Sequence, residues 1–118
     1  MSVKVKRAYE PPTPEDGVRV LVDRYWPRGV RKEEAAVDRW MKTLAPSRDL
    51  ISWFGHRPDR WEEFKTRYRE ELDRAEPKAD LEWLREKARS GVLTLVYSAR
   101  DEEHNNARVL ADYLAGDR

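Results

Sequence analysis

The stretch VLTLVYSARDEEHNNARVLADYL, residues 92–114, indicates the fold class of the whole chain. Residues 92–97 form a short run rich in Val and Leu, as expected for a strand that is covered on both faces. The polar segment 98–104 predicts a loop. After it, apolar side chains recur at helical spacing, namely Ala107, Leu110, Ala111 and Leu114. A buried strand followed by an amphipathic helix is typical of α/β domains.

Two further strands are predicted near the amino terminus. Val3–Tyr9 begins with alternating apolar and basic side chains, and Val18–Asp23 is rich in β-branched residues. A turn separates them, and its breakers are Pro11, Pro12, Pro14 and Gly17. The segment 24–31 follows as an irregular loop, because Pro27 and Gly29 interrupt regular structure there.

Three helices are predicted before the last strand. Ser47 is suited to cap a helix that ends at Gly55, and Pro58 begins a longer helix. Pro77 opens a third helix, which stops at Gly91. Their apolar stripes consist of Trp61, Phe64, Tyr68 and Leu72 in the second helix and of Leu81, Leu84 and Ala88 in the third.

Residues 32–46 fit two interpretations. Their apolar residues lie at helical spacing, but from Trp40 to Leu44 they also alternate as in a strand. We favour a short helical turn near Glu33 followed by a short strand, and a longer helix stays open.

Length and element order together predict the architecture. A chain of 118 residues has room for one core, so residues 1–118 are expected to form a single domain. Strands separated by helices pair in parallel through right-handed crossovers. We therefore predict a small three-layer α/β domain, with a short, mainly parallel sheet of three to four strands flanked by helices.

Composition and charge exclude several classes of protein. Charged residues make up 40% of the chain, yet its net charge of +1 excludes a generically basic coat for nucleic acid. The chain has no Cys, which excludes disulfides, thiolate chemistry and Cys-based zinc sites. No apolar run could cross a membrane and no signal-peptide pattern is seen, so a cytoplasmic location is expected. The absence of Gln beside dense charge fits a thermophilic protein, and equally a genome that favours Arg codons.

The predicted sheet indicates where a ligand would bind. Ligands of open parallel sheets lie beyond the carboxyl ends of the strands, so the loops that begin at Arg24 and at Ser98 are expected to meet. Guanidinium groups would then stand beside the N-terminus of the last helix, which also attracts anions. We predict an anion site there. Its candidate ligand-binding residues are Arg24, Trp26, Arg28, Ser98, Arg100, Asn105 and Asn106, and its candidate acid–base residues are His104 and Asp101.

Most of these candidates also have a structural interpretation. Arg24 could form an ion pair with Asp23, and Trp26 could be a packing residue rather than a stacking platform. Ser98 or Asp101 could cap the last helix, and for Asp101 we favour capping over catalysis.

Two further features concern the start of the last helix. The helix dipole disfavours a cationic His104, which leaves either a neutral imidazole that acts as donor or base or a solvated surface residue. Asn105 and Asn106 are the only amide side chains in the chain and have a low propensity for helix interiors, so we expect that they were selected for hydrogen bonding rather than arising by drift.

No metal site and no cofactor are predicted. His56 and His104 would need two distant loops to meet, and no paired-histidine spacing supports a metal. Neither a glycine-rich dinucleotide loop nor a P-loop occurs. The expected partner is a small anionic ligand. The net charge does not support a nucleic-acid partner, although it does not exclude one. No membrane partner is expected, and the oligomeric state stays open.

Four segments of the chain resemble the YeaO-like family of small bacterial and archaeal proteins, domain-of-unknown-function family 488. They are RVLVDRYWPRG (19–29), LAPSRDLISWFGH (44–56), RWEEFKTRYREEL (60–72) and LTLVYSARDEEHNNARVLADYL (93–114). The resemblance covers nearly the whole chain, and the family has no agreed activity for it to imply. The layout is also loosely similar to that of rhodaneses and low-molecular-weight phosphatases. Those enzymes place a Cys nucleophile near the position of Ser98, so their chemistry is not expected here.

Three functional hypotheses remain. The first is a module that binds a phosphate- or nucleotide-type anion. The second is an enzyme for a phosphate or carboxylate compound, with His104 and Asp101 as acid–base groups. The third is a structural or regulatory partner protein in which the loop motifs are architecture.

Overall fold

The computed structural model describes residues 2–74 and 78–116. Its sheet consists of β1 (Ser2–Arg7), β2 (Val18–Leu21), β3 (Arg39–Trp40) and β4 (Val92–Tyr97). The strand order is β1-β4-β2-β3, and every neighbouring pair is parallel. The predicted α/β class and parallel sheet are therefore confirmed. β1 and β2 end earlier than predicted, although the Val22 amide still donates to the Val96 carbonyl, at 3.1 Å.

Five α-helices connect and flank these strands in the described part of the chain. They are α1 (Lys32–Ala35), α2 (Arg48–Phe54), α3 (Trp61–Leu72), α4 (Lys78–Ser90) and α5 (Asn106–Leu114). The succession of α1 and β3 confirms the favoured interpretation of this segment, a helical turn followed by a short strand. Pro77, the predicted start of α4, lies outside the described residues. None of the helices within residues 2–74 and 78–116 is long and apolar enough to cross a membrane.

The predicted ends of α2 are confirmed. The Ser47 hydroxyl accepts a hydrogen bond from the Leu50 amide at 3.2 Å, which satisfies one of the free N–H groups of the first turn. Gly55 ends the helix with a φ of 53°, a left-handed conformation that glycine adopts without steric cost. The next helix begins later than predicted, because Pro58–Arg60 forms a 3-10 turn and α3 starts at Trp61.

The two faces of the sheet are covered in different ways. On one face the side chains of Val20, Leu93 and Leu95 pack with buried residues from α2, α3, α4 and α5 in the main hydrophobic core. On the other face Leu21 and Val96 meet only a small cluster, next to Trp26 and Val37. The first face thus carries the helical layer, whereas the second is covered by a thin layer of short segments.

A buried ionic cluster belongs to this thin layer. Asp16, in the 3-10 turn Pro14–Asp16, accepts hydrogen bonds from Lys6 at 3.0 Å and from Arg19 at 2.7 Å. Gly17 follows with a φ of 62°, and a Cβ there would lie 2.3 Å from the Val92 carbonyl oxygen. Only glycine therefore lets this turn approach the beginning of β4.

Candidate functional site

A cavity of about 400 Å³ lies beyond the carboxyl ends of β2 and β4. The two predicted loops do meet there, because both the segment after β2 and the segment after β4 line it. It is lined by Asp23, Arg24, Tyr25, Trp26, Pro46, Ile51, Phe54, His56, Phe64, Ser98, Ala99, Arg100, His104, Asn105 and Asn106. The edge predicted from the parallel sheet is thus the edge that carries the cavity.

Asp23 and Ser98 connect the two strands at the base of this edge. The Ser98 amide donates to Asp23 Oδ2 at 2.9 Å, and the Ser98 hydroxyl donates to the same oxygen at 2.7 Å. Arg24 does not form the ion pair considered from the sequence. Its Nε instead donates to the Pro46 carbonyl at 3.0 Å, which directs the side chain along the segment before α2.

The environment of Asp23 favours its protonated form. Burial raises the pKa of the Asp23 carboxyl, because a charge loses hydration there. Hydrogen bonding from Ser98 and Asn106 opposes that shift, and so does the charge of His56, but the net direction is upward. The cavity therefore contains an acid whose hydrogen-bond donors are neutral groups.

His104 is held by its neighbour Asp101. Asp101 Oδ2 and His104 Nδ1 lie 2.8 Å apart, and the imidazole packs edge-on against Trp61 with ring centroids at 5.1 Å. The other oxygen of Asp101 accepts the Glu103 and His104 amides, which lowers the pKa of this carboxyl together with the histidine contact. His104 lines the cavity, whereas Asp101 stands behind it and orients the ring.

The cap of α5 differs from both residues considered from the sequence. Asn105 is the N-cap, and its Oδ1 accepts the Arg108 amide at 3.0 Å. Asp101 forms the turn before the helix, and Ser98 is committed to Asp23, so neither caps it. An Asn is an equally good cap because its side-chain oxygen reaches the third N–H of the helix.

The hydrogen-bonding role expected for the two asparagines is confirmed. Asn105 Nδ2 donates to the Asp101 carbonyl at 3.0 Å, and Asn106 Nδ2 donates to the Val22 carbonyl at 3.0 Å. Asn106 thereby fastens the first turn of α5 to the end of β2. The two side chains thus hold the loop and the helix against the sheet at the cavity edge.

The remaining candidates separate into residues inside and outside the cavity. Arg100 lines it, and so does Trp26, whose Nε1 donates to the Val30 carbonyl at 2.6 Å and whose ring packs against Trp40. Trp26 therefore has a packing role as well as a face near the cavity. Arg28 is exposed and is not among the lining residues; its carbonyl accepts the Tyr9 hydroxyl at 3.0 Å.

Sequence patterns missed the wall that α2 and α3 contribute. Ile51, Phe54 and Phe64 line the cavity although their spacing marks them only as core residues. His56 joins them with a φ of 58°, so its loop does meet the loop of His104. Within the described ranges, no group of three or more His, Cys, Asp or Glu side chains is arranged to hold a metal ion.

Comparisons with known proteins place these features in a family. Residues 2–117 match the model of a family described as the inactive DUF488-N3 subclade. The uncharacterised protein Rv3073c of Mycobacterium tuberculosis (strain ATCC 25618 / H37Rv) is 45% identical over 114 residues, which cover 97% of this chain and 94% of that protein. The uncharacterised protein YeaO of Escherichia coli (strain K12) is 40% identical over 114 residues, 97% of each chain. No solved structure matches the chain.

Proposed function

This chain belongs to the DUF488 family, in the subclade described as inactive, and we propose that it binds a small phosphate- or nucleotide-type anion without converting it. One observation carries the proposal: two arginines, Arg24 and Arg100, line the same cavity as a set of aromatic side chains. Guanidinium groups bind phosphate oxygens in a fixed, forked geometry, and aromatic faces bind planar rings.

The size and lining of the cavity suit such a ligand. Its volume of about 400 Å³ falls in the range of small-molecule sites, which are mostly apolar with a few placed polar groups. Ile51, Phe54 and Phe64 supply an apolar wall. Tyr25, which is 55% exposed, stands at the opposite loop and is available for stacking.

The charge balance around the cavity also favours an anion. Arg24 uses one of its five N–H donors on Pro46, which leaves four for a ligand. Asp23 is the one carboxyl group among the lining residues given above, and burial raises its pKa. Two arginines and a single acid, whose pKa is raised, therefore line the cavity.

The test is a thermal-shift panel of phosphate, sulfate, nucleotides and sugar phosphates at fixed ionic strength. A ligand at ~100 times its Kd adds about 2.7 kcal/mol to the free energy of unfolding, a shift in Tm on the order of 10 °C. We expect the shift in the wild type to be lost in Arg100→Ala. Arg28→Ala is the matched control, because it removes the same charge from an exposed position outside the cavity. Equal losses in both variants would contradict a site at this edge.

A second candidate function rests on the contact between Asp101 and His104. A carboxylate that orients an imidazole at 2.8 Å is an arrangement used for general acid–base catalysis. If the protein were such an enzyme, His104→Ala would abolish turnover of a bound ligand while its affinity persisted. If it only binds, no turnover is observed in the wild type and His104→Ala has a modest effect on affinity.

The proposal extends to partner and location. The partner is a small anion rather than a nucleic-acid duplex or a membrane, and the protein binds it in the cytoplasm. If no compound of the panel raises the Tm of a correctly folded wild type, the hypothesis of a structural or regulatory partner protein is favoured instead.

A further inference from the structure

A second hollow adjoins the cavity, and the two share Arg24. This second hollow has a volume of about 340 Å³ and is lined by Arg24, Lys42, Thr43, Ala45, Ser47, Tyr68, Glu71, Leu72 and Arg74. Between the two hollows runs the segment 45–47, because Pro46 lines the first whereas Ala45 and Ser47 line the second. Arg24 lies along this segment, held by its Nε contact with the Pro46 carbonyl.

The second hollow is more cationic than the first. Three cationic side chains, Arg24, Lys42 and Arg74, line it together with one carboxylate, Glu71. Both oxygens of Glu71 are engaged within the fold: the Ser47 amide donates to one at 2.9 Å and the Ser47 hydroxyl to the other at 2.6 Å. Glu71 thus serves to fix the start of α2. Among the lining residues, cationic side chains exceed carboxylates by two, and a further carboxylate, Asp80, accepts a hydrogen bond from the lining Thr43.

Lys42 is positioned at this hollow by an aromatic ring. Its ammonium lies 4.1 Å from the centroid of the Trp40 ring, a cation–π contact that fixes the stem and leaves N–H donors available. The aromatic face therefore limits where the charge can lie before any ligand binds. A cation ordered in advance loses less conformational entropy when it contacts a phosphate.

We propose that the second hollow is a subsite for a second phosphate, so that the ligand is a nucleotide extended by at least one further phosphate group, with Arg24 between the two anionic groups. This inference rests on the proposed function. A second anionic group would be held by the cations that line the hollow beyond Pro46, Lys42 and Arg74. The shared chemistry is a second phosphate, carried either by a nucleoside diphosphate or by a short phosphorylated oligonucleotide.

The experiment compares three probes by calorimetry at one ionic strength: AMP, ADP and the 5′-phosphorylated dinucleotide pApA. We expect at least one of the two longer probes to bind the wild type about tenfold or more tightly than AMP, which corresponds to one additional charge-assisted contact. A gain with ADP places the second phosphate next to the first. A gain with pApA alone shows that the second hollow takes a phosphate separated from the first by a nucleoside.

Lys42→Ala is the decisive variant and Lys87→Ala its matched control. Lys87 also lies over an aromatic ring, that of Trp83 at 5.2 Å, and carries the same charge, but it lines neither hollow. We expect Lys42→Ala to remove the gain of the longer probe and to leave AMP affinity unchanged, while Lys87→Ala changes neither.

The outcomes distinguish this inference from the function on which it rests. Equal affinities of the wild type for AMP, ADP and pApA would overturn the second subsite and leave the anion site in place. Equal effects of Lys42→Ala and Lys87→Ala would also overturn it, because they would show a general effect of charge. If none of the three probes binds and no compound of the thermal-shift panel raises the Tm, both proposals are wrong.

Discussion

Asp16 and Asp23 stand at opposite ends of the same strand and have opposite electrostatic surroundings. Asp16, just before β2, is buried with the cationic partners Lys6 and Arg19. Asp23, just after β2, receives hydrogen bonds from the neutral Ser98. The amino end of the strand thus holds an ionic cluster that supports the thin layer, whereas the carboxyl end holds an acid that faces a cavity.

The pKa values of the two carboxyls follow from these partners. Burial by itself raises the pKa of Asp16, but hydrogen bonds from Thr13, Lys6 and Arg19 outweigh it and lower the value from 3.8 to about 2. At Asp23 burial prevails, and the pKa is raised. A buried acid with cationic partners is therefore part of the scaffold, while a half-buried acid with neutral partners marks the cavity.

The largest expected effect comes from removing the charge of Asp16. Asp16→Asn leaves Lys6 and Arg19 without their acidic partner, although the Arg19 side chain is only 4% exposed. Breaking a buried ion pair on one side costs about 3–5 kcal/mol, so we expect a loss of that size in the free energy of unfolding. Denaturant titration measures it. The exposed Asp112→Asn is the control, and a loss below about 1 kcal/mol would show that the cluster is not structural.

Acid should weaken the protein through the same residue. The folded pKa of about 2 lies below the value of 3.8, so the ionised Asp16 contributes stability above pH 3.8 that is lost as the pH falls towards 2. The expected loss between pH 5 and pH 2 is about 2 kcal/mol. Denaturant titrations at both pH values measure it as the difference between wild type and Asp16→Asn. An identical pH dependence of the two would contradict the assignment to Asp16.

Asp23→Asn should have a smaller effect of the opposite sign. A raised pKa in the folded state means that ionisation of Asp23 opposes folding as the pH rises above its ordinary value. The amide keeps an acceptor for Ser98, so we expect the free energy of unfolding at pH 7 to be unchanged or higher by up to about 1 kcal/mol. Binding of an anion should be unchanged or tighter. A loss of more than about 2 kcal/mol would show that the fold needs the negative charge of Asp23.

The smallest effect is expected at the half-buried pair Asp101 and His104. Their side chains are 36% and 30% exposed, and ion pairs or charged hydrogen bonds at that exposure contribute less than about 1 kcal/mol. Asp101→Asn should therefore change the free energy of unfolding by less than that amount, as measured by denaturant titration. A larger loss would place this pair with Asp16 as part of the scaffold, rather than with the groups at the cavity.

Much of the fold could be predicted from local patterns. β4 is found at the predicted residues because its apolar run has no alternative but a buried strand, and α2 has the predicted cap and stop. The amino-terminal elements were less well predicted. β2 ends at Leu21 because the chain turns into the loop that contains Trp26, which is a consequence of packing and not of strand propensity.

The edge that carries the cavity was predicted, and its lining residues were predicted in part. Parallel pairing brings the loops after β2 and β4 together, so Arg24, Ser98 and His104 were found from their position after a strand. Arg28 also lies in the loop after β2, but it is exposed and does not line the cavity. His56 and Phe54 belong to the lining, yet nothing in their local sequence distinguishes them from a helix end and its core residue.

The sequence by itself determined the elements, the parallel sheet and the edge at which a ligand could bind, because hydrophobic periodicity, caps and breakers act over a few residues. Only the tertiary structure decided which side chains share the cavity and which partners Asp16 and Asp23 have. Both depend on residues far apart in the chain, as when Asp23 meets Ser98 and Asp16 meets Lys6. The ionisation of a carboxyl is set by those partners and by burial, and no local pattern specifies either.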